Sequence, residues 1–185
     1  KIAESLWDLS VYSAEQGYAV TSFDGNTSPH ALQTKNRYEN GPIVSLGVAD
    51  KASADALSIM EYAAAHGVIA CMPTGGSGIP VPSIRYSAEA LKKSKEDCLK
   101  ALLVAGIVGI FYYPTHYHGA WGCQAEIGVS ISMTAGALAS LLTDDPDVIE
   151  RAAVLGAQSV LGQICDPVDG CSQVPCFIRN MTAVP

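Results

Sequence analysis

The chain has 185 residues, enough for one domain with a substantial core and too few to assume two. Hydrophobic residues make up 49% of it, charged residues only 16%, and the formal net charge is −7. That acidic balance argues against nucleic acid and against an anionic membrane surface as partners, and says nothing about substrate. The many Gly, Ala and Ser residues favour helices packed closely together.

In chain order, Lys1-Ile2-Ala3-Glu4-Ser5 lacks an initiating Met and a charged-then-apolar leader, so a processed or internally begun chain without a signal peptide is expected. Ser5–Tyr18 can form a short helix. Thr21–Pro42, rich in Asn, Gly, Ser and Pro, reads as a loop or contact arm. From Asp50, a candidate N-cap, Ala54, Leu57, Ile59, Met60 and Ala64 supply an apolar helical face that runs to Gly67. A glycine-rich loop, Pro73-Thr74-Gly75-Gly76-Ser77-Gly78-Ile79-Pro80, follows. Ser87 and Ser94 are candidate caps for a helix ending near Tyr112-Tyr113-Pro114. Its distal half, Leu102 to Phe111, is apolar all round and is expected to be central.

After a His/Gly/Trp loop at Thr115–Gly122, Cys123–Leu142 reads as a helix. Thr143-Asp144-Asp145-Pro146 stops it and starts the next, with Asp145 as N-cap and Pro146 at the first helical position. That helix is expected to run to about Ile164. A last one begins around Cys176. The apolar stretches Ala101–Tyr113 and Ile127–Leu142 read as buried helices: the first is short for a bilayer, the second is Gly/Ser/Thr-rich and preceded by Glu126. No stretch alternates as a strand. The expected fold is all-α, one helical domain of packed, small-residue-rich helices, with residues 1–45 as an N-terminal arm and 46–185 as the main domain.

Six cysteines stand at 71, 98, 123, 165, 171 and 176. Three disulfides of a secreted protein are the weaker reading, because a chain of this size and apolar content needs no staples. Cys123, Cys165 and Cys176 each sit where an apolar helical pattern meets a Gly/Pro-rich break. Their separations, 42 and 11 positions, match neither a CxxC zinc knuckle nor a ferredoxin run. Cys123 and Cys176 fall at expected helix N-termini, where N–H groups and the helix dipole stabilise a thiolate. Three thiolates suit an iron–sulfur cluster with one open, Lewis-acidic iron, while ordinary buried cysteines explain the spacing equally well.

Gly122-Cys123-Gln124-Ala125-Glu126-Ile127-Gly128-Val129 resembles the GCQAE-G segment of the iron–sulfur L-serine dehydratases. Cys165-Asp166-Pro167-Val168, with Gln173-Val174-Pro175-Cys176 and Arg179-Asn180, is similar to their CDPV-G-QVPC-RN segment. The glycine loop is similar to their PTAGSAG-P loop, and Ala101–Ile110 to the apolar helix before the first cluster cysteine. The likeness covers roughly residues 45 to 183.

The resemblance implies the family's α-type catalytic domain, in which Cys123, Cys165 and Cys176 hold a 4Fe–4S cluster at helix N-termini. It also implies a cytoplasmic lyase that deaminates L-serine or a related β-hydroxy amino acid. Cys71, Cys98 and Cys171 fall outside the pattern and read as structural thiols, Cys171 also being near enough to be an alternative ligand. In the glycine loop, Thr74, Gly75, Gly76, Ser77 and Gly78 can offer N–H groups to a substrate carboxylate or make a plain tight turn.

The chain departs from the family in two places. The glycine loop is one residue shorter. Thr115-His116-Tyr117-His118-Gly119-Ala120-Trp121 replaces the small residues that usually precede the cluster cysteine. His116 and His118 either cover the cluster or touch substrate and carry protons, which puts serine itself in question. Glu126 reads as a helix-dipole partner or as an acceptor behind the cluster ligands, and Arg179 as a partner of cluster or substrate charge or an ordinary ion-pair residue. The family's serine- and histidine-rich β loop is not found, Thr27-Ser28-Pro29-His30 being a poor imitation, so a β subunit or domain and an oligomer are expected. Cysteine desulfidase-type β-elimination and a non-catalytic metal-cluster subunit are the alternative functions.

Overall fold

A computed structural model describes residues 1–70, 78–116, 122–163, 168–171 and 173–184, with the side chains of 113–116, 122–124 and 173–175 left aside. Among the described residues eight helices follow one another: α1 (Ile2–Gly17), α2 (Ala31–Asn40), α3 (Val48–Ala64), α4 (Pro80–Ala90), α5 (Lys95–His116), α6 (Gly122–Ser140), α7 (Pro146–Gln158) and α8 (Gln173–Thr182). There is no strand among the described residues; Val168 and Cys171 form an isolated antiparallel bridge. The all-α expectation holds.

Local chemistry explains most helix ends. Ser94 and Asp97 make a reciprocal cap at the start of α5: the Ser94 N–H donates to Asp97 Oδ2 at 2.9 Å and the Asp97 N–H to Ser94 Oγ at 3.2 Å. The Asp145 carboxylate accepts the Asp147 N–H at 2.9 Å, with Pro146 opening α7. His66, past the end of α3, takes a left-handed conformation with φ 63°.

Other ends differ from the sequence expectation. Gly47, not Asp50, precedes α3; Asp50 instead reaches back from the first turn to accept the Leu46 N–H at 3.1 Å and the Ser45 hydroxyl at 2.6 Å. Ser87 lies inside α4, a helix opened by Pro80 and Pro82, where proline's missing N–H costs nothing. α5 runs on through Pro114 to His116, and α7 stops at Gln158, short of Ile164. Within Thr21–Pro42 the chain forms α2, for a reason that lies in α3: buried Glu61 accepts the N–H groups of His30 and Ala31 at 2.6 and 3.0 Å.

Trp7 of α1, Val81 and Ile84 of α4, Leu102 and Ala105 of α5, and Val129 and Met133 of α6 form the main core. Each large side chain among them contributes about 1.5–3 kcal/mol by leaving water. α7 packs closely on α6 because small residues face each other: a Cβ on Gly156 would stand 2.9 Å from Ala135 Cβ and 3.0 Å from the Ile131 carbonyl. The Ser132 hydroxyl crosses the same contact to the Ala153 carbonyl at 2.7 Å. α5 buries only part of its apolar circumference. Leu103, Ile107, Ile110 and Phe111 stay exposed on one stripe, so the helix is not wholly central. Among the described residues, no helix is long and apolar enough to cross a membrane.

Candidate functional site

Short connections at 117–121 and 141–145 make α5, α6 and α7 an antiparallel stack. His116, the last residue of α5, and Cys123, the second of α6, therefore come to the same end of that stack; the side chains of both are outside the described set, as is all of His118. α7 returns toward this end. Val160, just past α7, approaches α6 so closely that a Cβ on Gly128 would lie 3.6 Å from its Cγ2. The chain then leads into Cys165, outside the described residues.

α8 lies along α3 and also touches α6. It carries Cys176 on its first turn, with the side chain half-buried. A second, smaller core ties these pieces together: Ile127, one turn beyond Cys123, meets Ile79 at the end of the glycine loop, Ala52 and Ala56 of α3, and Val184 beyond α8. Of the glycine loop, Gly78 is described and buried; Thr74, Gly75, Gly76 and Ser77 are outside the described residues. Thiols on the first turns of α6 and α8 are a soft donor set. Such donors fit an iron–sulfur cluster better than a hard, oxygen-loving cation.

Sequence reading missed two groups here. Asn180, fully buried one turn after Cys176, accepts the Gly78 N–H through Oδ1 at 3.2 Å and donates through Nδ2 to the Cys176 carbonyl at 2.9 Å. Its signal was the Asn of the Arg179-Asn180 pair, a polar residue on a helix face otherwise packed on α3. The loop before α2 also reaches this region. Phe23 meets Phe177 edge-on, with ring centroids 5.7 Å apart, and Asn26 Nδ2 donates to the Val168 carbonyl at 2.5 Å. No sequence signal marked those contacts, which span most of the chain.

The thiols outside the trio sit differently. Cys98 is buried in the main core, and burial pushes its thiol pKa up. Cys171 is half-buried at the Val168 bridge, and Cys71 lies outside the described residues. Farther off, buried Asp55 of α3 accepts the Tyr18 and Tyr86 hydroxyls at 2.6 and 2.8 Å, with Arg85 3.6 Å away. Burial and the Asp55 charge hold both phenols well above the usual tyrosine range, and burial pushes Tyr38 up to about 12.

This is a helical domain in which the first turns of α6, the residues just past α8 and Ile79 at the end of the glycine loop share one small core. A family model described as serine dehydratase alpha chain matches residues 4–185, and the chain belongs to that family. An L-serine dehydratase of Streptomyces coelicolor is 40% identical over 134 residues, 70% of this chain and 30% of that protein. A probable L-serine dehydratase alpha chain of Bacillus subtilis is 31% identical over 179 residues, 95% of this chain and 59% of that protein. L-serine dehydratase 1 of Escherichia coli is 35% identical over 156 residues, 82% of this chain and 34% of that protein. The chain thus spans between about a third and three-fifths of these relatives' lengths.

Proposed function

We propose that this chain is the helical catalytic part of an L-serine dehydratase and converts L-serine to pyruvate and ammonia. Loss of the Cα proton and the β-hydroxyl leaves 2-aminoacrylate, whose imine tautomer is hydrolysed by water to the 2-oxo acid and ammonia. The observation that carries the reading is the packing of Ile127, one turn past Cys123, on Ile79 at the end of the glycine loop and on Val184 just past α8, in a chain of the serine dehydratase family.

In this reading Cys123, Cys165 and Cys176 hold a 4Fe–4S cluster, the first and third supported by the N-termini of α6 and α8. The cluster supplies, when bound, a Lewis-acidic iron that makes the β-hydroxyl a better leaving group. Thr74 to Gly78 present N–H groups to the substrate carboxylate. His116 and His118, on the segment joining α5 to α6, carry protons to or from the substrate. The Bacillus relative is named an alpha chain, which supports a beta subunit or domain as the partner that completes the site.

The test is anaerobic preparation of the chain with its candidate beta partner, followed by iron and sulfide analysis and a pyruvate assay. About four irons and four sulfides per chain are expected, with loss of both iron and turnover in Cys123→Ser and Cys176→Ser. Full turnover of L-serine by iron-free protein would sink the cluster assignment. Sulfide release from L-cysteine without pyruvate formation from L-serine would replace dehydration with desulfidation.

A further inference from the structure

We propose that Asn180 is a positioning residue that ties Gly78, at the end of the glycine loop, to the α8 turn that bears Cys176. Its amide is fully buried, and each half has one partner: Gly78 N–H on the loop and the Cys176 carbonyl on α8. The orientation is fixed by chemistry. Turning the amide over would set NH2 against an N–H and oxygen against a carbonyl, two repulsive contacts in a buried place.

Few side chains could replace it. Serine is too short to span both partners, and an apolar residue of the same volume would leave the Gly78 N–H without this acceptor. The loop is pressed close from the other side as well. A Cβ on Gly78 would stand 2.8 Å from the Ala56 carbonyl and 3.1 Å from Asn180 Oδ1. Gly78 is thus held between α3 and α8, at the start of α4. Gripped there, Gly78 keeps its N–H at a fixed distance from the turn that bears Cys176. Such preorganisation acts on substrate affinity before it acts on global stability.

The inference rests on the proposed roles of the Thr74–Gly78 loop and Cys176. The full chain with its beta partner, loaded anaerobically with iron and sulfide, is titrated with L-serine while the visible absorption of the cluster is followed. In Asn180→Ala the serine concentration at half response should rise about tenfold, with the iron content as prepared unchanged but iron lost faster to a chelator, because the donor to the Cys176 carbonyl is gone. Gly78→Ala should raise it similarly by pushing the loop off Asn180. The double variant should then be no worse than the weaker single one, because both changes remove the same contact.

A wild-type midpoint in Asn180→Ala, or effects that multiply in the double variant, overturns the inference. If Asn180→Ala does not fold, Asn180→Asp carries the test: it still accepts the Gly78 N–H but as a carboxylate cannot donate to the Cys176 carbonyl. Its serine midpoint should stay within about threefold of wild type while iron is lost faster to a chelator. A tenfold shift in that midpoint, or wild-type iron retention, counts against it. A wild-type protein that holds iron and does not respond to L-serine defeats the proposed function. In that case amide hydrogen exchange at Gly78, compared between wild type and Asn180→Ala, still reports whether the grip exists.

Discussion

Asp55 shows how one buried carboxylate organises side chains from distant segments. It accepts hydrogen bonds from the hydroxyls of Tyr18, at the end of α1, and Tyr86, in α4, and lies beside Arg85. Lys35 stands over the Tyr18 ring at 4.6 Å and Lys51 over the Tyr86 ring at 5.6 Å, so positive charge surrounds the cluster. Removing the carboxylate leaves two half-buried phenols without their acceptor. Asp55→Ala should therefore cost about 3 kcal/mol, read as a fall in the urea midpoint with an unchanged slope. A loss no larger than that of an ordinary surface substitution would show that water satisfies the phenols equally well.

At the scale of elements, α2 depends on α3. Its sequence is polar, and its N-cap His30 makes no side-chain capping bond. The carboxylate of Glu61 supplies that cap from across the fold. Burial raises the Glu61 pKa from its ordinary 4.5, and the two N–H donors and His30 pull it partly back. The sign of the linkage follows. The folded chain holds this proton more tightly than the unfolded chain, so the associated stability is complete below the ordinary value and is lost as pH rises through the folded one. Glu61→Gln carries no such proton. Between about pH 4 and pH 7, wild type should lose stability relative to Glu61→Gln, measured as the difference in urea midpoints at each pH. A difference that stays flat, or moves the other way, would contradict the assignment.

For the whole molecule, the two cores define what holds without a cofactor. Both are built from apolar side chains, and of the described residues neither includes Cys176. Metal-free chain should therefore keep its helical circular dichroism, while loading with iron and sulfide raises the melting temperature by binding the folded state alone. Collapse of the helical signal on chelation would show that the cluster is needed for the fold. Among the described residues, Leu103, Ile107, Ile110 and Phe111 form an exposed apolar stripe along α5 that leads toward His116.

The sequence by itself determined the helical class, the Ser94 and Asp145 helix starts, and helix starts at Cys123 and Cys176. These depend on neighbours within a few positions: capping side chains, proline at the first turn, apolar spacing. It also carried the motifs that tie the chain to its family. Tertiary structure alone decided the rest. α2 is a helix because Glu61 caps it from 30 positions away, and the apolar distal half of α5 is partly exposed because its partners cover one side only. Asn180, Phe23 and Asn26 reach the candidate site through contacts spanning 102, 154 and 142 positions, where no local pattern could announce them. Local chemistry writes helix ends into a sequence, whereas a grip between distant segments exists only once packing has brought them together.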